Sequence, residues 1–183
     1  VTQAGALTGT ISTTKIYGQN DPVAAGLPVV LAGMVNNPTV STWNGNVAID
    51  DTPAAKLSTT VATITNRAGG EVVGSYGINT ATFNALGGTS AGNYSGVVNL
   101  GGTSALAITQ APISFALTTP LQTKQYGQND PALGGIGVSL SGLVNNPSIN
   151  TWNGVGAGSV TDGAVTGTLT GLTRTAGENV GTY

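Results

Sequence analysis

Apolar and polar positions alternate with a period of two along much of the chain, the pattern of strands buried on one face. The clearest run sets Leu27, Val29, Leu31, Gly33 and Val35 against Pro28, Val30, Ala32 and Met34. A later run sets Ile136, Val138, Leu140, Gly142 and Val144 against Gly137, Ser139, Ser141 and Leu143. The first set of positions stays apolar while the second drifts to serine, which predicts that the first set faces a core. Further strands are predicted over 7–16, 40–49, 57–65, 71–79, 94–100 and 104–110. Each is rich in Val, Ile and Thr and bounded by Gly, Asn or Pro. Helical periodicity is confined to 53–57 and 81–86, enough for a turn or two. The predicted fold is mostly β, built from small β-sandwich-like domains, with a β-grasp-like sheet crossed by one short helix as the alternative.

The two alternating runs belong to an internal repeat. Residues 14–45 match 123–154 without a gap, with 20 identities in 32 positions. Both copies open on T-K-x-Y-G-Q-N-D-P and close on T-W-N-G. A second match joins 67–76 (RAGGEVVGSY) to 174–183 (RTAGENVGTY), and a third joins VTQA at 1–4 to ITQA at 108–111. The spacing gives a unit of about 108 residues, the size of one small domain, where domains cluster at about 100–150 residues. The predicted organisation is residues 1–4 as the closing strand of a preceding repeat, 5–111 as a complete repeat, and 112–183 as a second, ending before its last strands. Such a register reads as a window on a longer array. ITQAPI at 108–113 leaves no Gly/Ser linker between copies, and Pro112 restricts the joint, which predicts a stiff array.

Composition narrows the function. Charged residues make up 7 % of the chain and the net charge is −2, with five basic residues. Nucleic acid and anionic membrane surfaces require clustered Lys and Arg, so neither is an expected partner. No apolar run reaches the ~18–20 residues of a membrane helix. The chain has no cysteine and no histidine, which removes thiolate chemistry and the commonest general base. Asp50 and Asp51 are adjacent, so on a strand they point to opposite faces and do not converge on one bond as a glycosidase pair does. No catalytic site, cofactor site or metal site is predicted.

Eight of the twelve charged residues fall into four pairs matched between copies: Lys15 with Lys124, Asp21 with Asp130, Arg67 with Arg174, and Glu71 with Glu178. Asp21 and Asp130 precede proline, where an Asp carboxylate accepts a local N–H and stabilises a turn. Calcium is a second reading of these aspartates, without the Asp-x-Asp-x-Asp spacing that would support it. Arg67 and Glu71 flank a Gly-containing turn and are expected to pair across its mouth. An internal amide between Lys15 or Lys124 and an asparagine, promoted by Glu71 or Glu178, is a covalent alternative. Tyr17, Tyr76, Tyr126 and Tyr183 each lie near glycine, where a ring packs on bare backbone and the hydroxyl ties a loop. Trp43 and Trp152 sit in T-W-N-G, beside a predicted Asn-Gly turn. Packing is the expected role of both indoles, with stacking on sugars as the alternative.

These residues, in this order, resemble the MBG/YDG-type repeats of large secreted bacterial adhesins and haemagglutinin-like exoproteins. The likeness rests on K-x-Y-G-x-x-D-P, an apolar strand ending in G-L/M-V, R-x-A-G-E-x-V-G-x-Y, then G-N-Y and I-T-Q-A-P. It covers both copies. Gly70 departs from the A-G-E spacing, and the second copy has no G-N-Y segment. The resemblance implies an extracellular location at a bacterial surface or in a biofilm matrix. It further implies that Lys15, Tyr17, Asp21, Glu71, Tyr76 and their partners define the fold. The expected function is a non-catalytic stalk or spacer whose partners are neighbouring repeats. Two alternatives are a module binding polysaccharide or a host surface, and a subunit that self-assembles with other copies through an unpaired sheet edge.

Overall fold

A computed structural model describes residues 1–183. The chain is mostly β, with thirteen strands in several small sheets, and its helical pieces are two 3₁₀ turns at Ala91–Asn93 and Leu133–Gly135. No α-helix crosses a sheet, so the β-grasp-like alternative is set aside. No helix is long and apolar enough to cross a membrane. The chain divides into two compact units, one of Val1–Gln110 with Asn146–Val160, the other of Ala111–Asn145 with Thr161–Tyr183.

The first unit holds two principal sheets. One has the order β3 (Val30–Ala32), β1 (Leu7–Thr10), β8 (Val98–Leu100). The other has the order β2 (Ser12–Ile16), β9 (Ala105–Thr109), β7 (Gly74–Phe83), β6 (Val61–Arg67). The repeat's first and last strands lie side by side and parallel. β1 pairs with β8 from Leu7↔Val98 to Gly9↔Leu100, and β2 with β9 from Ser12↔Ala105 to Ile16↔Thr109.

The strand predicted over 7–16 is thus two strands in different sheets. The break falls at Ile11, whose side chain is fully buried among Val61, Ile64 and Ile78. Its N–H leaves the ladder and donates to Ser104 Oγ at 3.0 Å, while its carbonyl accepts from Ala105 N–H at 2.9 Å. Burying a bulky side chain at the corner outweighs continuing one straight strand. The run over 27–35 also shortens, to the three residues of β3, although its alternation holds. Leu31 is buried, Leu27 and Val29 pack partly buried against the cores, and Val30 is exposed. The segment over 81–86 belongs partly to β7 rather than to a helix, whereas 53–57 does close one turn, with Leu57 N–H donating to Pro53 O at 3.2 Å.

The strand predicted over 40–49 is a hairpin, β4 (Asn36–Thr42) and β5 (Gly45–Asp50), turning at Trp43-Asn44. Nearly every residue of β4 and β5 is exposed, and neither strand pairs with any other. In the second unit β10 (Ser114–Leu117) pairs with β11 (Val138–Ser141). The second T-W-N-G closes another hairpin, β12 (Asn145–Thr151) with β13 (Gly154–Thr161), and its residues 146–160 belong to the first unit. Second-copy residues matching β2, β6 and β7 carry no strand. In the first unit the corresponding β2 and β7 flank β9.

Ser104→Ala removes the acceptor that holds the buried Ile11 N–H at the corner. The expected cost is about 1–3 kcal/mol of stability, read as a lower urea midpoint with an unchanged slope.

Candidate functional site

The matched charges converge. Lys15 is the inward-pointing buried residue of β2, and Arg67 is the buried last residue of β6. A turn through Gly18, at φ 82°, brings Asp21 back over the end of β2, and the 68–73 loop brings Glu71 in from β6. Lys15 Nζ donates to Asp21 Oδ1 at 2.8 Å and to Glu71 Oε2 at 2.5 Å. Arg67 grips Asp21 with two bonds, Nε to Oδ2 at 2.7 Å and Nη2 to Oδ1 at 3.1 Å, and Nη2 also donates to Glu71 Oε1. Arg67 Nη1 donates to the carbonyls of Ala68 and Gly70 at 2.9 and 3.0 Å, so all five of its N–H groups are used. The four side chains expose between 1 and 7 % of their surface.

Asp21 is therefore not the local turn acceptor its sequence context suggested. Its carboxylate is the centre of an ion network because two cations outcompete a neighbouring amide for the same lone pairs. Burial alone would push Asp21 up, but Arg67, Lys15 and the Trp152 amide together hold it below its ordinary 3.8. Burial likewise opposes the charge on Arg67, and the bonds to Asp21 and Glu71 reverse that and raise it. Lys15 Nζ, like Lys124 Nζ in the second copy, is held by two carboxylates rather than by an asparagine amide, which disfavours the alternative of an internal Lys–Asn bond. No group of three or more acidic side chains converges anywhere in the chain.

Tyr76 lies over the guanidinium, with the Arg67 carbon 5.4 Å from the ring centroid, and its hydroxyl donates to Val72 O at 2.8 Å. Gly70 has φ 131° and a Cβ there would run into the Tyr76 ring, as one at its counterpart Gly177 would run into Tyr183. Glycine is thus required in both copies, and the residue that departs from A-G-E is Gly69, where a Cβ would meet nothing.

The network is closed by the β12–β13 hairpin. Trp152 donates its main-chain N–H to Asp21 Oδ2 at 2.9 Å and its indole N–H to Pro22 O at 2.9 Å. Asn153 pairs with the Arg67 main chain in both directions, accepting at 2.8 Å and donating at 3.0 Å. Asp21 N–H donates to Asn150 O at 2.9 Å, Asn150 N–H to Asn20 Oδ1 at 2.8 Å, and Asn146 Nδ2 to Gly18 O at 2.9 Å. Gly158 lies against Glu71, where an added Cβ would come 2.8 Å from its Cγ. No buried side-chain polar atom lacks a partner.

The second quartet repeats the bonding without the cover. Lys124 reaches Asp130 at 2.8 Å and Glu178 at 2.7 Å, and Arg174 reaches Asp130 at 2.9 Å and also pairs with Glu178. These side chains expose 22 to 59 % of their surface. Arg174, then Lys124, hold Asp130 down at about 2. Tyr183 lies over Arg174 at 5.5 Å and donates to Asn179 O at 2.8 Å. Tyr126 is exposed and Tyr17 half-buried.

The two tryptophans differ in the same way. Trp152 is seated on the Ile11–Val61–Ile64–Ile78 cluster, whereas Trp43 is fully exposed. Trp152 as a capping residue, together with Asn20, Asn150 and Asn153, was not legible from the sequence. The signal was present in that N-D-P and T-W-N-G recur together in both copies. A buried group of Asp51, Ser90 and Tyr94 was also missed. Asp51 accepts from Ser90 Oγ at 2.7 Å and from the Tyr94 hydroxyl at 2.9 Å, and that hydroxyl accepts Val35 N–H at 2.7 Å. Asp50, its neighbour, is exposed and accepts from Thr52, so the two carboxylates do point apart.

Neither a family model, nor a curated protein, nor a solved structure matches the chain.

Asp21 binds a proton less readily folded than unfolded. Its contribution to stability is present above its ordinary 3.8 and is lost as the pH falls through the lowered folded value. With no histidine in the chain, the denaturation midpoint is expected to be flat from about pH 5 to 8. Below about pH 4 it should fall, and Asp21→Asn should flatten part of that fall. The Trp152 amide proton, followed by NMR, should titrate with the same acid limb.

Proposed function

We propose that this chain is a load-bearing structural repeat, a non-catalytic stalk or spacer of a bacterial surface or matrix adhesin of the kind the MBG/YDG resemblance implies. The observation that carries the reading is the parallel pairing of the repeat's first and last strands, β1–β2 with β8–β9. Tension applied to the two ends of the repeat pulls parallel neighbours in opposite directions along their length. The hydrogen bonds of the ladder then bear the force together rather than opening one at a time. The recurring charges fit the same role, since in the first quartet they are spent on one another and sealed.

Direction of pulling tests this. The chain has no cysteine, so handles can be placed at will. With Thr2→Cys and Gln110→Cys as handles, the first unit should unfold at a high-force peak. With Thr2→Cys and Ala85→Cys, whose anchors lie at the same end of the sheet, it should unzip at a clearly lower force. Equal forces in the two directions overturn the load-bearing reading.

A second reading, contact with polysaccharide, is favoured by the full exposure of Trp43. A spacer shows no response of tryptophan fluorescence to matrix exopolysaccharide. Saturable quenching that Trp43→Ala removes would establish the binding reading in its place.

A further inference from the structure

Two halves of one contact stand unfilled on this chain. The first quartet and the T-W-N-G hairpin of the second copy are joined within the first unit, through Asp21, Pro22 and Arg67 on one side and Asn150, Trp152 and Asn153 on the other. The remaining hairpin, β4–β5, and the remaining quartet have no such partner. The hairpin projects Trp43 fully exposed, with Val47 and Ile49 also at the surface. The quartet opens onto a surface cleft of about 460 Å³ lined by Gly127, Asn129, Asp130, Arg174 and Glu178, the counterparts of residues that meet the hairpin in the first unit.

Each element of the filled contact has its counterpart. Asn129, Asp130, Pro131 and Arg174 stand where Asn20, Asp21, Pro22 and Arg67 receive the hairpin. Trp43 and Asn44 stand where Trp152 and Asn153 enter. Asn150 is replaced by Ser41, but Asn150 reaches the first quartet's loop through its main chain, while its side chain bonds Gly156 within its own hairpin. These contacts come from the turn and the preceding strand, where the two copies align without a gap. Gly158 alone lies in the longer following strand, which carries two more residues than β5 before Asp162, the counterpart of Asp51. The second quartet is already assembled, with its four ion pairs made, so docking requires no rearrangement of charge.

We propose that the β4–β5 hairpin of a second copy of this chain docks on the quartet of Lys124, Asp130, Arg174 and Glu178, joining copies head to tail. Plug and socket are different surfaces, so the contact is heterologous and builds open chains of copies rather than closed dimers. The proposal stands on the filled contact and holds whether or not the repeat bears load.

Sedimentation of the full chain over a wide concentration range tests it. The average mass should rise with concentration past that of a dimer, in the micromolar-to-millimolar range of small transient interfaces, and Trp43 emission should shift to the blue as it does so. Trp43→Ala removes the plug and Asp130→Asn the socket's central acceptor while keeping its shape. Each alone should weaken association on the order of tenfold or more. Mixed together they should form a one-to-one complex that grows no further, because each supplies the half the other lacks. Far-UV circular dichroism confirms that both variants remain folded. A chain that stays monomeric throughout overturns the proposal. So does association that survives both substitutions, which would place it on an unpaired sheet edge, and so does failure of two folded variants to complement.

Discussion

Four buried charges must be complete or absent. Taking each ion out of water costs several kcal/mol, and the mutual attraction offsets this only when geometry is good and every remaining donor is met. The first quartet meets that condition: two cations face two carboxylates, Arg67 uses all five N–H groups, and the Trp152 amide takes a further place on Asp21. Loss of any one partner strands an opposite charge, at about 3–5 kcal/mol. The surrounding structure follows from closing this network. β2 and β6 end where Lys15 and Arg67 must meet, two loops return the acids, and a hairpin supplies the lid.

Lys15 ties the network to the parallel ladder. It lies opposite Ile108 in the pairing of β2 with β9, and its carbonyl accepts from the Thr109 hydroxyl at 3.1 Å. The same residue therefore belongs to the parallel ladder and to the charge cluster that the hairpin seals. The Asp51–Ser90–Tyr94 group does comparable work in the other sheet, tying the end of β5 to the 90–94 turn and to Val35. In a chain with twelve charged residues, five of them, Lys15, Asp21, Asp51, Arg67 and Glu71, are buried and spent on architecture.

Reading the sequence forward recovered the strands wherever local pattern and tertiary demand agreed. The alternation at Leu27, Val29 and Leu31 is real, and β6, β7 and β9 lie close to their predicted runs. The bend at Ile11 was not legible, because what makes it is distant in the chain: Val61, Ile64 and Ile78 bury the side chain, and Ser104, 93 residues away, takes up the N–H. The pairing of the charges was half legible. Arg67 and Glu71, four residues apart, were expected to meet, while Lys15 and Asp21 arrive from a loop and strand 56 and 46 residues distant. The two T-W-N-G segments read alike and do different things, one seated and one exposed.

By itself the sequence determined the repeat, the mostly β class, and which side chains matter, since a residue retained in both copies amid drifting neighbours marks a shared physical constraint. Tertiary structure alone decided that four such residues form one cluster, that a hairpin from the other copy covers it, and that only one of two equivalent clusters is buried. The reason is that burial is not a local property. Solvent is excluded by whatever segment folds back over a group, and that segment lies more than a hundred residues away in the chain.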